Sequence, residues 1–234
     1  MKIELSKKPK SPTIVEGFPG FGLVGTISTG FLIDHLNCEK IGRVYFEDAA
    51  PTIAIHDGKV IDPISIYYNK KYNLIIVHSI SNVLGLEWKA AGIVLDLCKQ
   101  LSCKELISIE GVGAAGGKGG RIFYYTTHKA KEKALQKIGI EPLNEGIIVG
   151  VTSSLLLKGG HPMTAFFAES ISNMPDSKAA AKVIESLDGY LGLKVDYKPL
   201  LKQAQDFENK LKQLLKQGSK TQSQQEKKRL SYIS

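Results

Sequence analysis

A chain of 234 residues with 43% hydrophobic and 23% charged side chains can bury a sizeable core as one large domain, or one domain plus an appendage; its composition excludes collagen-like, mucin-like and globally disordered classes. No apolar run reaches the roughly 18–20 residues of a membrane helix, and none follows the basic stretch Met1–Pro12, so neither a membrane contact nor a signal peptide is expected and the reading is a soluble cytoplasmic protein. The net charge of +8 is concentrated: Lys194–Ser234 holds ten Lys/Arg against four Asp/Glu, which leaves the globular part near neutral and the tail basic.

In chain order, Thr13–Glu16 reads as a short strand, Gly17–Gly25 as a glycine-rich turn and Thr26–Leu36 as a helix, with Ile27, Phe31, Ile33 and Leu36 toward a core. Gly42–Phe46 reads as a strand. Thr52–Ile55, Asp57-Gly58 and Val60–Tyr68 read as a hairpin, because Asp-Gly supplies the positive φ of a tight turn. Leu74–Ser79 and Leu106–Ile109 are apolar runs typical of strands covered on both faces, and Gly85–Leu101 is an amphipathic helix. A glycine loop over Gly111–Gly120, a strand over Ile122–Thr126, a helix over Lys129–Lys137 and a buried strand over Ile147–Thr152 follow. Thr164–Ser170, Ser177–Gly189 and Pro199–Gln217 read as helices, the second capped by Asp176 or Ser177. In the third, Leu200, Ala204, Phe207, Leu211 and Leu214 form two heptads of an a/d seam, for packing on the domain or for an oligomer contact.

This order gives an α/β fold with a mixed, largely parallel sheet flanked by helices and a helical C-terminal part. The expected organisation is an α/β domain over 1–193, a C-terminal helix over 194–217 and a flexible basic tail over 218–234. The tail starts with a polar stretch that cannot offset the entropy of ordering and ends in Leu230-Ser-Tyr232-Ile233-Ser234, a candidate docking peptide.

Chemistry-bearing patterns are few. Cys38, Cys98 and Cys103 are odd in number and form no Cys-x-x-Cys pair, so neither a disulfide framework nor a zinc site is expected. None of the five histidines has a second histidine within four residues; Cys38 stands three residues after His35, but no further His or Cys is near that pair, so no local metal site is assigned. His78, with Ser79 and Ser81 after it, and Glu110 stand at strand ends, where an α/β enzyme could place a base; the plainer reading is packing. No catalytic residue, cofactor or metal is assigned.

Gly20-Phe-Gly22-Leu-Val-Gly25 matches the dinucleotide pattern between a strand and a helix, with Glu47 or Asp48 placed to hold a ribose. Phe18 and Phe21 put rings where phosphate should lie, and Pro19 lacks a donor. The favoured reading is a close-packed structural turn built on Gly17, Pro19, Gly20, Gly22 and Gly25; the alternative is a nucleotide or small-molecule binding enzyme. Gly111–Arg121 fails the phosphate-loop pattern, because Val112 and Gly119 stand at its required positions, although Lys118 and Arg121 could attract an anion.

Four segments together resemble the PAC2 (proteasome assembly chaperone) family, archaeal-type members in particular. They are Gly17–Gly25, Glu110–Gly113, Gly150-Val-Thr-Ser-Ser-Leu-Leu-Leu157 and Pro175-Asp-Ser-Lys-Ala-Ala-Ala181. The resemblance spans roughly residues 10–215. It implies a phosphorylase-like fold, a homo-oligomer, and binding to proteasome α-subunits or another assembly factor without catalysis. It also implies a C-terminal hydrophobic–Tyr–any-residue tail that docks between α-subunits. Here Tyr232 is third from last and follows Ser231, so the tail residues Leu230, Tyr232, Ile233 and Ser234 depart from that register. Nucleic-acid binding by the basic tail is a third reading, against which stands the lack of aromatics among the basic residues before Tyr232.

Overall fold

The computed structural model describes residues 2–46, 53–56, 58–113, 119–171 and 173–197, with 199 and 202 as isolated positions. Among these, the strands are β1 (Lys2–Leu5), β2 (Thr13–Gly17), β3 (Glu39–Tyr45), β4 (Ala54–His56), β5 (Lys59–Ile61), β6 (Ile64–Asn69), β7 (Leu74–Ser79), β8 (Glu105–Gly113), β9 (Ile122–Thr126), β10 (Glu141–Pro142) and β11 (Met163–Ser170). The α-helices are α1 (Val24–His35), α2 (Glu87–Leu101), α3 (Glu132–Lys137), α4 (Val151–Lys158) and α5 (Ser177–Leu191). No helix among the described residues is long and apolar enough to cross a membrane.

Nine strands form one sheet in the order β1-β3-β6-β7-β2-β8-β11-β9-β10. Its centre, β7-β2-β8-β11, is parallel. The flanking pairs β1-β3, β3-β6, β6-β7 and β11-β9 are antiparallel. The sheet is therefore evenly mixed rather than largely parallel. Central strands buried on both sides send alternate residues to two cores. Val15, Ile76, Ile107 and Phe166 join the side closed by α1 and α5. Ile14, Ile75, Leu106 and Phe167 join the side closed by α2 and α4.

Four further expectations are corrected. Thr164–Ser170 is not a helix: it lies within β11, between β8 and β9, with all eight residues of the strand buried. Ile147–Thr152 is not a strand: Ile147 and Val149 are 92% and 78% exposed, and the helix α4 begins at Val151. The run Val60–Tyr68 is split at Asp62-Pro63, so β4-β5 form a separate small hairpin while β6 joins the main sheet. Gly111–Gly113, expected in a loop, extend β8. The strand β1 was not expected; its Ile3 and Leu5 pack on the α2/α4 side. Asp176 does cap α5, its carboxylate accepting from Ala179 N at 2.9 Å. The expected helix Pro199–Gln217, Lys118, Glu47, Asp48 and the tail 218–234 lie outside the described residues, apart from positions 199 and 202.

Candidate functional site

The strand β2 leaves the C-terminal edge of the parallel strands and turns into α1 through Phe18-Pro19-Gly20 and a single 3-10 turn, Phe21–Leu23. Side-chain atoms are excluded here by neighbouring backbone. A Cβ on Gly17 would lie 2.3 Å from the Gly25 carbonyl oxygen, and one on Gly25 would lie 2.8 Å from that of Ile109. Such separations are far inside van der Waals contact, so the turn is pressed onto β8. Gly22 has φ +66° and needs the left-handed region as well. Phe18 is buried on the α2/α4 side.

The first two glycines of the dinucleotide pattern face acidic groups. A Cβ on Gly20 would sit 2.0 Å from Glu110 Oε1, and one on Gly22 would meet Ser170 and Asp176. Ser170 Oγ donates to Asp176 at 2.9 Å, and Asp176 N donates to the Gly22 carbonyl at 2.9 Å. A pyrophosphate against this turn would meet carboxyl groups, opposite to the donor-lined cradle such an anion needs.

Behind the turn runs a buried relay. Glu16 on β2, Ser108 and Glu110 on β8 and Thr152 on α4 are all buried. Glu16 Oε1 hydrogen-bonds Ser108 Oγ, Ser108 Oγ lies 2.7 Å from Thr152 Oγ1, and Thr152 Oγ1 lies 3.1 Å from Glu110 Oε2. Three contacts require three protons, and the two hydroxyls supply two. One carboxyl therefore carries the third. Burial pushes Glu16 up to about 8 and Glu110 up to about 7. The Gly111 N–H favours charge on Glu110. Glu16 and Glu110 thus share one proton as a buried pair, and with that proton on Glu16 donation runs from Glu16 through Ser108 and Thr152 to Glu110. A Cβ on Gly150, at the start of α4, would lie 3.5 Å from Glu110 Oε2. All four sequence segments that resembled one family thus meet around Gly20, Gly22, Glu110, Thr152 and Asp176.

His78 braces the same turn. Its Nδ1 lies 2.8 Å from Thr29 Oγ1, which lies 2.8 Å from the Gly25 carbonyl. Donation from Nδ1–H to Thr29, and from Thr29 to Gly25, satisfies both contacts. Burial lowers His78 to about 4 and keeps it neutral. Ser79 Oγ bonds the carbonyls of Pro63 and Ser81. Arg121 forms an ion pair with Glu169 at 2.6 Å, and that contact holds the Glu169 carboxyl below its usual range.

One grouping escaped the sequence reading. Cys98 and Cys103, five residues apart, and the distant His161 bring one donor atom each within 4.8 Å of one another. Two shallow surface hollows of about 420 Å³ lie elsewhere, one beside Lys2, Ile93 and Asp96 and one beside Lys7, Asn37 and Tyr68.

Comparison with known proteins matches this architecture. The chain is 29% identical to Pyrococcus furiosus PbaA, described as an archaeal homolog of proteasome-assembly chaperone, with a TM-score of 0.81 over 92% of this chain and 97% of that one. It shares its fold with P. furiosus PbaB, an archaeal proteasome activator, at 24% identity and a TM-score of 0.73, covering 91% and 98% of the two chains. It is also 28% identical to an uncharacterized protein of Methanocaldococcus jannaschii over 96% of this chain and 94% of that protein. The PAC2 family profile matches residues 14–215, from the strand that feeds the glycine turn past the helix that Asp176 caps, and the chain belongs to the PAC2 family.

Proposed function

We propose that this chain acts as a proteasome assembly chaperone or adaptor, binding proteasome α-subunits or another assembly factor through protein–protein contacts. The observation that carries this reading is the likeness to PbaA over nearly the whole of both chains. The glycine turn supports it, because its contacts are backbone on backbone and its nearest polar groups are acidic. Exposed apolar side chains offer contact surface: Leu84 and Trp88 around the start of α2, Ile147 and Val149 before α4, and Leu157 on α4. Homo-oligomer formation, a cytoplasmic location and a phosphorylase-like classification of the mixed sheet belong to the same proposal.

The tail supplies a second contact in this reading. Leu230, Tyr232 and Ile233 offer a ring and aliphatic groups, a combination suited to an apolar pocket on a partner. Tethering to a bound core raises its local concentration, and Lys227-Lys228-Arg229 speeds encounter with an acidic partner. Deleting residues 230–234 is expected to weaken capture of α-subunits at least roughly tenfold while leaving the thermal unfolding midpoint unchanged. Capture by the truncated chain equal to that by the full chain would remove the tail from the mechanism.

A further inference from the structure

From the Cys98, Cys103 and His161 side chains we infer a binding site for a thiophilic metal ion, Zn²⁺ first, at the edge of the sheet opposite the glycine turn. The argument begins with the chain path. Cys98 lies in the last turn of α2; Ser102 then adopts φ +50° and Cys103 N donates to the Cys98 carbonyl at 2.9 Å. This reversal folds the second thiol back over the first. His161 follows Gly159 and Gly160, both at positive φ, at the end of α4. Its Nε2 reaches Cys103 Sγ at 2.8 Å. Leu106 N donates to the Pro162 carbonyl at 3.0 Å, so the starts of β8 and β11 fix the two donor-bearing segments against each other.

The donors suit the ion. Zn–S and Zn–N bonds of about 2.3 and 2.0–2.1 Å in a tetrahedron set donor–donor edges of roughly 3.5–3.8 Å. The three donor atoms all lie within 4.8 Å of one another, and the Cys103–His161 pair needs to open by less than about 1 Å to reach that edge. His161 already turns its Nε2 toward the Cys103 thiol, so a ring nitrogen faces the position of the ion. On binding, the two thiol protons leave to water, and Zn²⁺ with two thiolates and one imidazole is neutral overall, the form that suits a site whose two sulfurs are buried. His161 is half-exposed, so the fourth position opens toward solvent. The bound ion would tie the end of α2 to the α4–β11 connection.

The test uses the reduced, chelator-stripped full chain and Co²⁺ as a spectroscopic probe. The expected result is one Co²⁺ per chain with thiolate-to-cobalt charge-transfer absorption, displaced by equimolar Zn²⁺. Zn²⁺ at a hundredfold excess over its dissociation constant is expected to raise the unfolding midpoint by roughly 5–10 °C. Cys103→Ser abolishes the absorption, His161→Ala weakens binding at least tenfold, and Cys38→Ser, remote from the site, leaves both intact. In the unmutated chain Zn²⁺ slows maleimide labelling of two of the three cysteines, a readout that does not depend on any variant folding. Absence of the charge-transfer absorption, or labelling unaffected by Zn²⁺, overturns the site.

Discussion

Gly111→Ala is expected to lower the midpoint of thermal unfolding by roughly 6–12 °C, corresponding to about 3 kcal/mol in a domain near 200 residues. A Cβ at this position would lie 1.8 Å from the Phe21 carbonyl oxygen, with Val24 Cγ2 at 3.2 Å. The obstacle is backbone and cannot rotate aside, so the whole turn from Gly20 to Leu23 has to lift off β8. That lift also loosens the Gly22 carbonyl from Asp176 N and so disturbs the cap of α5. Gly111 is not among the positive-φ glycines, so conformational strain does not account for the effect. Gly113→Ala, two residues along the same strand and with nothing within 4 Å of its Cβ, is the internal control and is expected to fall within about 0.5 kcal/mol of the unmutated protein. Equal midpoints for the two variants would show that the turn does not press on the strand.

The second large effect is a pH dependence. Glu16 is raised to about 8 in the folded protein, against an ordinary value near 4.5. A carboxyl with a raised folded pKa contributes stability that is fully present below the unfolded value and is lost as pH rises through the folded one. The unmutated protein is therefore expected to lose stability between about pH 5 and pH 9, on the order of 3–5 kcal/mol at the upper end. Glu110, raised to about 7, acts in the same direction over a lower window. Glu16→Gln keeps a donor toward Ser108 and cannot ionise. It is expected to flatten the profile and to raise the midpoint at pH 9 by several degrees relative to the unmutated chain. Thermal melts from pH 5 to pH 9 decide the matter, and parallel profiles for the two proteins would contradict the one-proton relay.

The sequence made the parallel centre legible because Leu74–Val77 is an unbroken apolar run and Leu106–Ile109 is apolar but for Ser108, the two flanking a helical pattern. It misled where a local signal competed with a tertiary one. Thr164–Ser170 contains two Ala and a Glu, residues at home in a helix, and its burial on both faces erases the alternation that marks a strand. Only the open places beside β8 and β9 make it β11. The β-branched Ile147-Ile148-Val149 mimics a buried strand, yet only Ile148 packs inward, while its two neighbours face solvent. At the site, the glycine string was visible but its counterpart was not. Glu16, Ser108, Glu110 and Thr152 come from β2, β8 and α4, and no spacing rule links them. Cys98 and Cys103 stand at a short Cys-x4-Cys spacing, but the 58-residue separation of Cys103 and His161 hides a 2.8 Å contact.

The most direct test of the account is affinity capture of the natively produced full-length protein, with identification of everything that co-purifies, paired with a thermal-shift screen against nucleotides. The account predicts that proteasome α-subunits or an assembly factor come down with the chain and that no nucleotide moves the unfolding midpoint. A midpoint raised saturably by a nucleotide and returned to its starting value by Gly22→Val, with no polypeptide partner captured, would contradict it.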